Sequence, residues 1–388
     1  MEFELTRSQK EIQKAVKEYI KGEFKREVIE ELIEKHQFPE ALWKKAADLG
    51  FIGIHYPETC SGQGLGLLEN ALVAETLCAG DATVGAALTL SGFSSGALLR
   101  FGTEEQKATW LPRVAEGEVL SCGAFTEPDC GYDLTARGTT AIKNGAHWVI
   151  NGAKDFVVNA GPLAGFYIVL CRTGDDAKPE SKGLTLILVE SDRPGVSIRD
   201  IGPKTGFSLM HCADVDLSDV RVPIANTVGK ENRGFFHASE IVGENRILLA
   251  AQAVGIAQGA YERTLAYVKS REMFGRTLSQ FQVTEHKMAD MAAKIEMTRL
   301  LAYKAASIYD AGRIDTKMCA IAKMCATKAA VEVSNEAIQL LGGYGYMKEY
   351  EVERFYLDAK MSEIMEGSQI TQRDTIAGPI FGKKGRRG

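Results

Sequence analysis

The sequence predicts an α+β protein in three successive regions: helical, then β, then helical again. Apolar residues recur at helical spacing up to about residue 117 and again from 234 to the end. Between them lies a run of short strands with no intervening helix. A length of 388 residues allows two or three such regions to share one subunit. We therefore divide the chain into residues 1–117, 118–233 and 234–388.

In the first region, Thr6 or Ser8 is placed to cap a helix through Ile20, with Ile12, Val16 and Tyr19 on one face. Pro39 opens another helix, through Leu42, Trp43, Ala46 and Leu49, and Gly50 ends it. The glycine-rich loop at 61–66 lacks the preceding strand and following Lys-Ser/Thr of a phosphate cradle, so a plain turn is expected. Residues 69–100 are helical and rich in Ala, Gly, Ser and Thr. Small side chains there either let helices approach closely or leave room for a ligand.

The period changes near residue 118. A strand at 119–125 precedes two Asn-Gly pairs, Asn144-Gly145 and Asn151-Gly152, each predicted to reverse a strand. Further strands at 166–171, 184–189, 196–201 and 212–222 complete an antiparallel barrel or sandwich of roughly 110 residues. Helices then follow at 235–271, at 282–311 closed by Gly312, and from the N-cap Asp315 to Leu341. They predict a four-helix bundle, with the segment after Ser368 as its last partner.

Composition narrows the function. Hydrophobic content of 45%, charged content of 25% and a net charge of −5 describe a globular chain with no reason to bind nucleic acid. The basic tail at 383–387 reads as a solvated end. Eight scattered cysteines form no CxxC pair and match no metal site, so reduced thiols and no metal are expected. The N-terminus enters a helix pattern directly, and no apolar run approaches a membrane span, which places the protein in the cytoplasm.

Chemistry concentrates near the C-terminus. Glu366 follows apolar Ile364 and Met365, precedes Gly367, and sits beside Ser368, the N-cap of a last helix. A carboxylate on such a turn can be buried under an apolar ligand, which would raise its pKa into the range useful to a base. The bland alternative is a surface Glu before a capped helix. The run Glu366-Gly367-Ser368 with Gln372-Arg373 resembles the catalytic segment of the acyl-CoA dehydrogenase family.

Four more segments resemble that family, in order along the chain. Phe125-Thr126-Glu127-Pro128, with Gly131 and Asp133, is similar to its first flavin segment, and residues 154–159, with Phe156 and Val158, to its second. Arg271-Glu272-Met273-Phe274-Gly275, followed by Gln282, resembles the part that reaches the flavin diphosphate of a neighbouring subunit. Gln339-Leu340-Leu341-Gly342-Gly343 resembles the part that meets the adenine end. Arg246 matches a position near the pantetheine of acyl-CoA, although a helix-surface salt bridge competes. Taken alone, Thr126 could be a turn residue and Arg271 a helix-ending cation. Phe156 replaces the usual Trp, Val158 a hydroxyl residue that bonds flavin N5, and Tyr132 a Ser near the pyrophosphate. Asn245 stands where some members carry the base and cannot act as one, whereas Glu244 points about 100° away along the helix.

The resemblance implies α,β-dehydrogenation of an acyl-CoA thioester. Glu366 would remove the α-proton while the β-hydrogen leaves as hydride to FAD, and the resemblance counts Asp133 and Ser368 among the residues that bind it. It further implies an electron-transferring flavoprotein as acceptor and a homotetramer. Residues 81–99 lack Lys and Arg, so no partner for a second substrate carboxylate is present there, and an uncharged short, medium or cyclic acyl group is expected. A related flavin oxidase, favoured by Val158, and a non-catalytic assembly protein of the same fold are the alternatives.

Overall fold

The computed structural model describes residues 4–131, 133–135, 138–174 and 181–382; Tyr132, the first three residues and the basic tail at 383–387 lie outside the described residues. Seven helices come first among them: α1 (Arg7–Glu23), α2 (Arg26–Glu34), α3 (Glu40–Asp48), α4 (Leu67–Gly80), α5 (Ala82–Thr89), α6 (Ser95–Phe101) and α7 (Glu104–Ala115). Local chemistry sets their ends. Thr6 and Gln9 form a reciprocal capping box on α1, and Gly50 leaves α3 at φ 73. The loop at 61–66 is a turn leading into α4, where the Glu69 carboxylate takes the Gly66 N–H at 3.0 Å.

The strands β1 (Leu120–Ala124), β2 (Thr140–Asn144), β3 (His147–Val158), β4 (Ala164–Arg172), β5 (Leu184–Glu190), β6 (Val196–Asp200), β7 (Cys212–Pro223) and β8 (Thr227–Val228) form one sheet. Its order is β6-β7-β3-β1-β4-β5-β8, with β2 against β3 and β4. Pairing is antiparallel except for β1–β4 and β2–β4, which run parallel. Strand β4 is buried on both faces: Phe166, Ile168 and Leu170 pack toward α6 and α7, while Tyr167, Val169 and Cys171 fill the opposite cluster.

Only one of the two Asn-Gly pairs reverses the chain. Asn144 pairs with His147 across a tight turn in which Gly145 has φ 62. Asn151-Gly152 instead lies inside β3, at a register shift between Ile150 and Gly152, which corrects the expected second reversal. Glycine is required there because a Cβ would meet Thr139 Oγ1 at 2.5 Å.

Long helices close the chain: α8 (Gly234–Ser270), then the small hairpin β9 (Glu272–Met273) and β10 (Arg276–Thr277), α9 (Gln282–Asp310), α10 (Thr316–Leu341), α11 (Val352–Ile364) and α12 (Gln369–Ile380). Asp315 caps α10 by accepting the Met318 N–H at 3.0 Å. The bundle is completed by α11, which packs on both α8 and α10, rather than by the helix after Ser368, which packs on α10. Sequence periodicity passes over α11 because its buried face is short: Val352, Phe355, Ala359 and Ser362, beside the charged Asp358. The largest core joins this bundle to α4 and α5. All eight cysteines are free, and five are buried. Among the described residues no helix is long and apolar enough to cross a membrane, and no cluster of His, Cys, Asp and Glu is arranged for a metal ion.

Candidate active site

Helices α11 and α12 meet at Glu366, whose φ of 55 is a left-handed conformation that costs energy for any residue bearing a Cβ. Gly367 follows at φ 94, and Ser368 caps α12 by accepting the Thr371 N–H. The turn is clamped through its carbonyls. Arg246 Nε donates to the Glu366 carbonyl at 3.1 Å, and Gln372 Nε2 to the Glu366 and Gly367 carbonyls at 3.0 and 2.9 Å. Lys323 Nζ donates to the Glu363 and Gly367 carbonyls at 2.9 and 2.7 Å.

That clamp grips the backbone of the turn and not the carboxylate. Oε2 of Glu366 is buried with no hydrogen-bond partner among the described residues, and so is Nδ2 of Asn245. The Glu366 backbone N–H likewise donates to no described group. Burial pushes the carboxyl up to about 7, opposed by Arg246, Lys323 and Asn245. The same burial pulls the Lys323 ammonium down to about 7. Arg246 is 5% exposed, so the surface salt-bridge reading of this residue does not hold.

A second set of sequence-identified residues gathers on the sheet. Phe125 is buried, and the Thr126 carbonyl accepts the Asp155 N–H at 3.0 Å, joining the two segments. Between them, Glu127 and Lys154 form a buried ion pair at 2.6 Å. Asp133 accepts the Thr135 N–H and O–H at 3.0 and 2.6 Å. Phe156 occupies a register break in β3 at φ 53 and turns its ring outward, 64% exposed. Val158 turns inward and packs in the core near Leu90 and Phe93.

The third set lies at the ends of the long helices. Arg271 stacks its guanidinium over the Tyr344 ring at 5.5 Å. Phe274, at the tip of the β9–β10 hairpin, has φ 53 and is 90% exposed. Gln282, Gln339, Gly342 and Gly343 are exposed as well. Gly345 is needed by the chain itself, since a Cβ would meet the Ile338 carbonyl at 2.4 Å. Among the described residues, no hydrogen bond or ion pair joins this third set to Glu366 or to residues 125–158.

Two features escaped the sequence reading. Lys323 is the lone cation on the buried face of α10, four residues before Thr327 and close to Ala322 and Ala326, and that isolation was the available signal. The other is a narrow cleft of about 30 Å³ beside Asn245, walled by Leu88, Phe93 and Leu248 and containing Glu244 and His55. The small residues of α4–α6 thus serve both ends: Gly85 packs on the Cys78 backbone, while Thr89 and Gly92 line the cleft.

Sequence profiles of the acyl-CoA dehydrogenase N-terminal, middle and C-terminal domains match residues 6–118, 122–220 and 232–380. The chain is 38% identical to a short-chain-specific acyl-CoA dehydrogenase of Clostridium acetobutylicum, over 98% of this chain and 100% of that one. It is also 38% identical to an acryloyl-CoA reductase (NADH) of Anaerotignum propionicum, over 98% and 96%. Among solved structures, butyryl-CoA dehydrogenase of Megasphaera elsdenii superposes with a TM-score of 0.93 at 34% identity, covering 98% of this chain and all of that one. The chain therefore belongs to the acyl-CoA dehydrogenase family and is an oxidoreductase of that family.

Proposed function

We propose that this protein uses Glu366 as the base in FAD-dependent α,β-dehydrogenation of an uncharged short, medium or cyclic acyl-CoA. The observation that carries the reading is the Glu366 turn: a buried, unpaired Oε2 beside an uncommitted backbone N–H. Oε2 would take the α-proton, and the N–H would donate to the thioester oxygen as negative charge develops there. Arg246, Gln372 and Lys323 hold the turn through its carbonyls, so both donor and acceptor are positioned before substrate arrives. Arg246 would also lie along the pantetheine arm.

The residues present suit a flavin. An aromatic ring held outward on strained backbone at Phe156 offers a stacking face, and Thr126 stands beside that segment with its hydroxyl. Phe125, Asp133, Val158 and Ser368 would complete the near side. Arg271, Phe274, Gln282, Gln339, Gly342 and Gly343, exposed and remote in contact from Glu366, would serve the diphosphate and adenine of FAD held mainly by a neighbouring subunit. Bound there, FAD would supply the hydride acceptor for the β-hydrogen. An electron-transferring flavoprotein as the next acceptor, a homotetramer, a cytoplasmic setting and the division at 117 and 233 belong to the same proposal.

The test is anaerobic mixing of the FAD-loaded protein with butyryl-CoA and cyclic acyl-CoA thioesters. Flavin absorbance should bleach with these and not with glutaryl-CoA. Preferred turnover of glutaryl-CoA would refute the uncharged substrate class, and no bleaching with any thioester would refute the reaction.

A further inference from the structure

We infer that the acyl pocket ends in a polar seat built on Glu244, which selects a neutral acyl group carrying a hydroxyl at its far end. This rests on Glu366 as the base, because it takes the cleft beside Asn245 as the acyl pocket. Asn245 acts on the Glu366 carboxyl and also lines that cleft. Glu244, one residue earlier on α8, enters the same cleft. An acyl chain starting at Glu366 would pass Asn245 and meet Glu244 deeper in.

The polar groups there have spare valences. Tyr309 donates its hydroxyl to Glu244 Oε2, but Oε1 accepts no hydrogen bond among the described residues. His55 Nε2 lies 3.8 Å from Oε1. Burial pulls the His55 imidazole down to about 4, so it is neutral at physiological pH and forms no ion pair. His55 Nδ1 is also buried without a partner. Asn70, half-buried, lines the same cleft. A glycine backs the arrangement, since a Cβ at Gly96 would lie 2.9 Å from both Glu244 oxygens. Leaving the buried His55 Nδ1 unmatched is costly unless a ligand completes it.

Charge then selects the occupant. A second carboxylate would face Glu244 itself. An ammonium gains little, because burial raises the Glu244 carboxyl pKa and favours its neutral form. A hydroxyl can donate to Oε1 and accept from Asn70 at once.

The experiment compares ω-hydroxyacyl-CoA, unsubstituted acyl-CoA and ω-aminoacyl-CoA thioesters of matched length on the FAD holoenzyme. Flavin reduction gives kcat/KM, and calorimetry on Glu366→Gln gives Kd without turnover. The hydroxylated thioester should be favoured about 3- to 10-fold in both, the worth of a hydrogen bond between uncharged groups. Glu244→Gln, which keeps the size of the side chain, and Asn70→Leu should each collapse that ratio. Equal or better reaction of the unsubstituted thioester, a ratio unmoved in Glu244→Gln, or preference for the amine overturns the inference while leaving the dehydrogenation intact. Failure of every thioester to bleach the flavin overturns the base assignment, and this inference with it.

Discussion

Glu366 has to be an anion when substrate binds, yet its surroundings favour the acid. Raised from 4.5 to about 7, the carboxyl keeps a proton in the folded chain that the unfolded chain releases. Its contribution to stability is therefore fully present below about pH 4.5 and is lost as pH rises through about 7. Glu366→Gln should accordingly be more stable than the parent at pH 8.5 and no more stable near pH 4.5, read as denaturation midpoints. The rate of flavin reduction should move the other way, rising with pH through about 7 as the base ionises. The same substitution should lower that rate by at least about 10²–10⁴-fold, the usual worth of a positioned base, while FAD and ligand still bind. If Glu366→Gln bleaches at the parent rate and only Glu244→Gln abolishes bleaching, the base lies on α8. Lys323 offers a parallel measurement, because Lys323→Met removes a side-chain donor from the Glu363 carbonyl and one of the two side-chain donors on the Gly367 carbonyl. A loss of about 2 kcal/mol in stability is expected, together with slower reduction as the turn loosens. Unchanged stability and rate would show that the turn holds without this clamp.

At the scale of elements, what could be read from sequence was what depends on near neighbours. Thr6, Asp315 and Ser368 announce helix starts because a cap is made within three residues of the cap itself. The turn at Glu366 and its Ser368 cap are contiguous and so legible, but locally they fit a surface Glu as well; the proposed role of Glu366 rests on the ordered set of resembling segments along the chain. Gly152 was misread because Asn-Gly looks alike in a hairpin and in a bulge; what separates them is Thr139, on the neighbouring chain segment. Helix α11 was missed because Glu351 opens it at φ 62 with no capping side chain, and its apolar face is interrupted by Asp358. The pairing of Arg246 with the Glu366 carbonyl spans 120 residues and left no local trace. Gly152→Val should therefore cost more than a hairpin-tip substitution would. A loss of about 2 kcal/mol, in line with forced overpacking, is expected in thermal denaturation, against near-neutral behaviour for Gly145→Asn, where a Cβ meets nothing.

At the scale of the molecule, the surface of the last region does not look finished. Phe274 is 90% exposed, Tyr346 86%, and Val283, Met297 and Ile370 are each more than half exposed. Scattered apolar residues need no explanation, but these sit on the long helices and their connections, and Phe274 and Tyr346 lie within four residues of Arg271 and Gly342, which are proposed to reach a neighbour's FAD. Closed symmetric assembly would bury them and bring each subunit's third set of residues to its neighbour's sheet. Sedimentation should thus find a homotetramer, with flavin absorbance travelling with it. Phe274→Ser tests the coupling. As an exposed hairpin residue in an isolated chain it should change stability by less than about 0.5 kcal/mol. In the assembly it should weaken subunit contact and FAD retention together, so that dilution releases flavin from the variant at concentrations where the parent keeps it. A monomer that sediments with stoichiometric FAD would show that one chain suffices for the cofactor, and the assignment of Arg271, Phe274, Gln282, Gln339, Gly342 and Gly343 to a neighbour's site would fall.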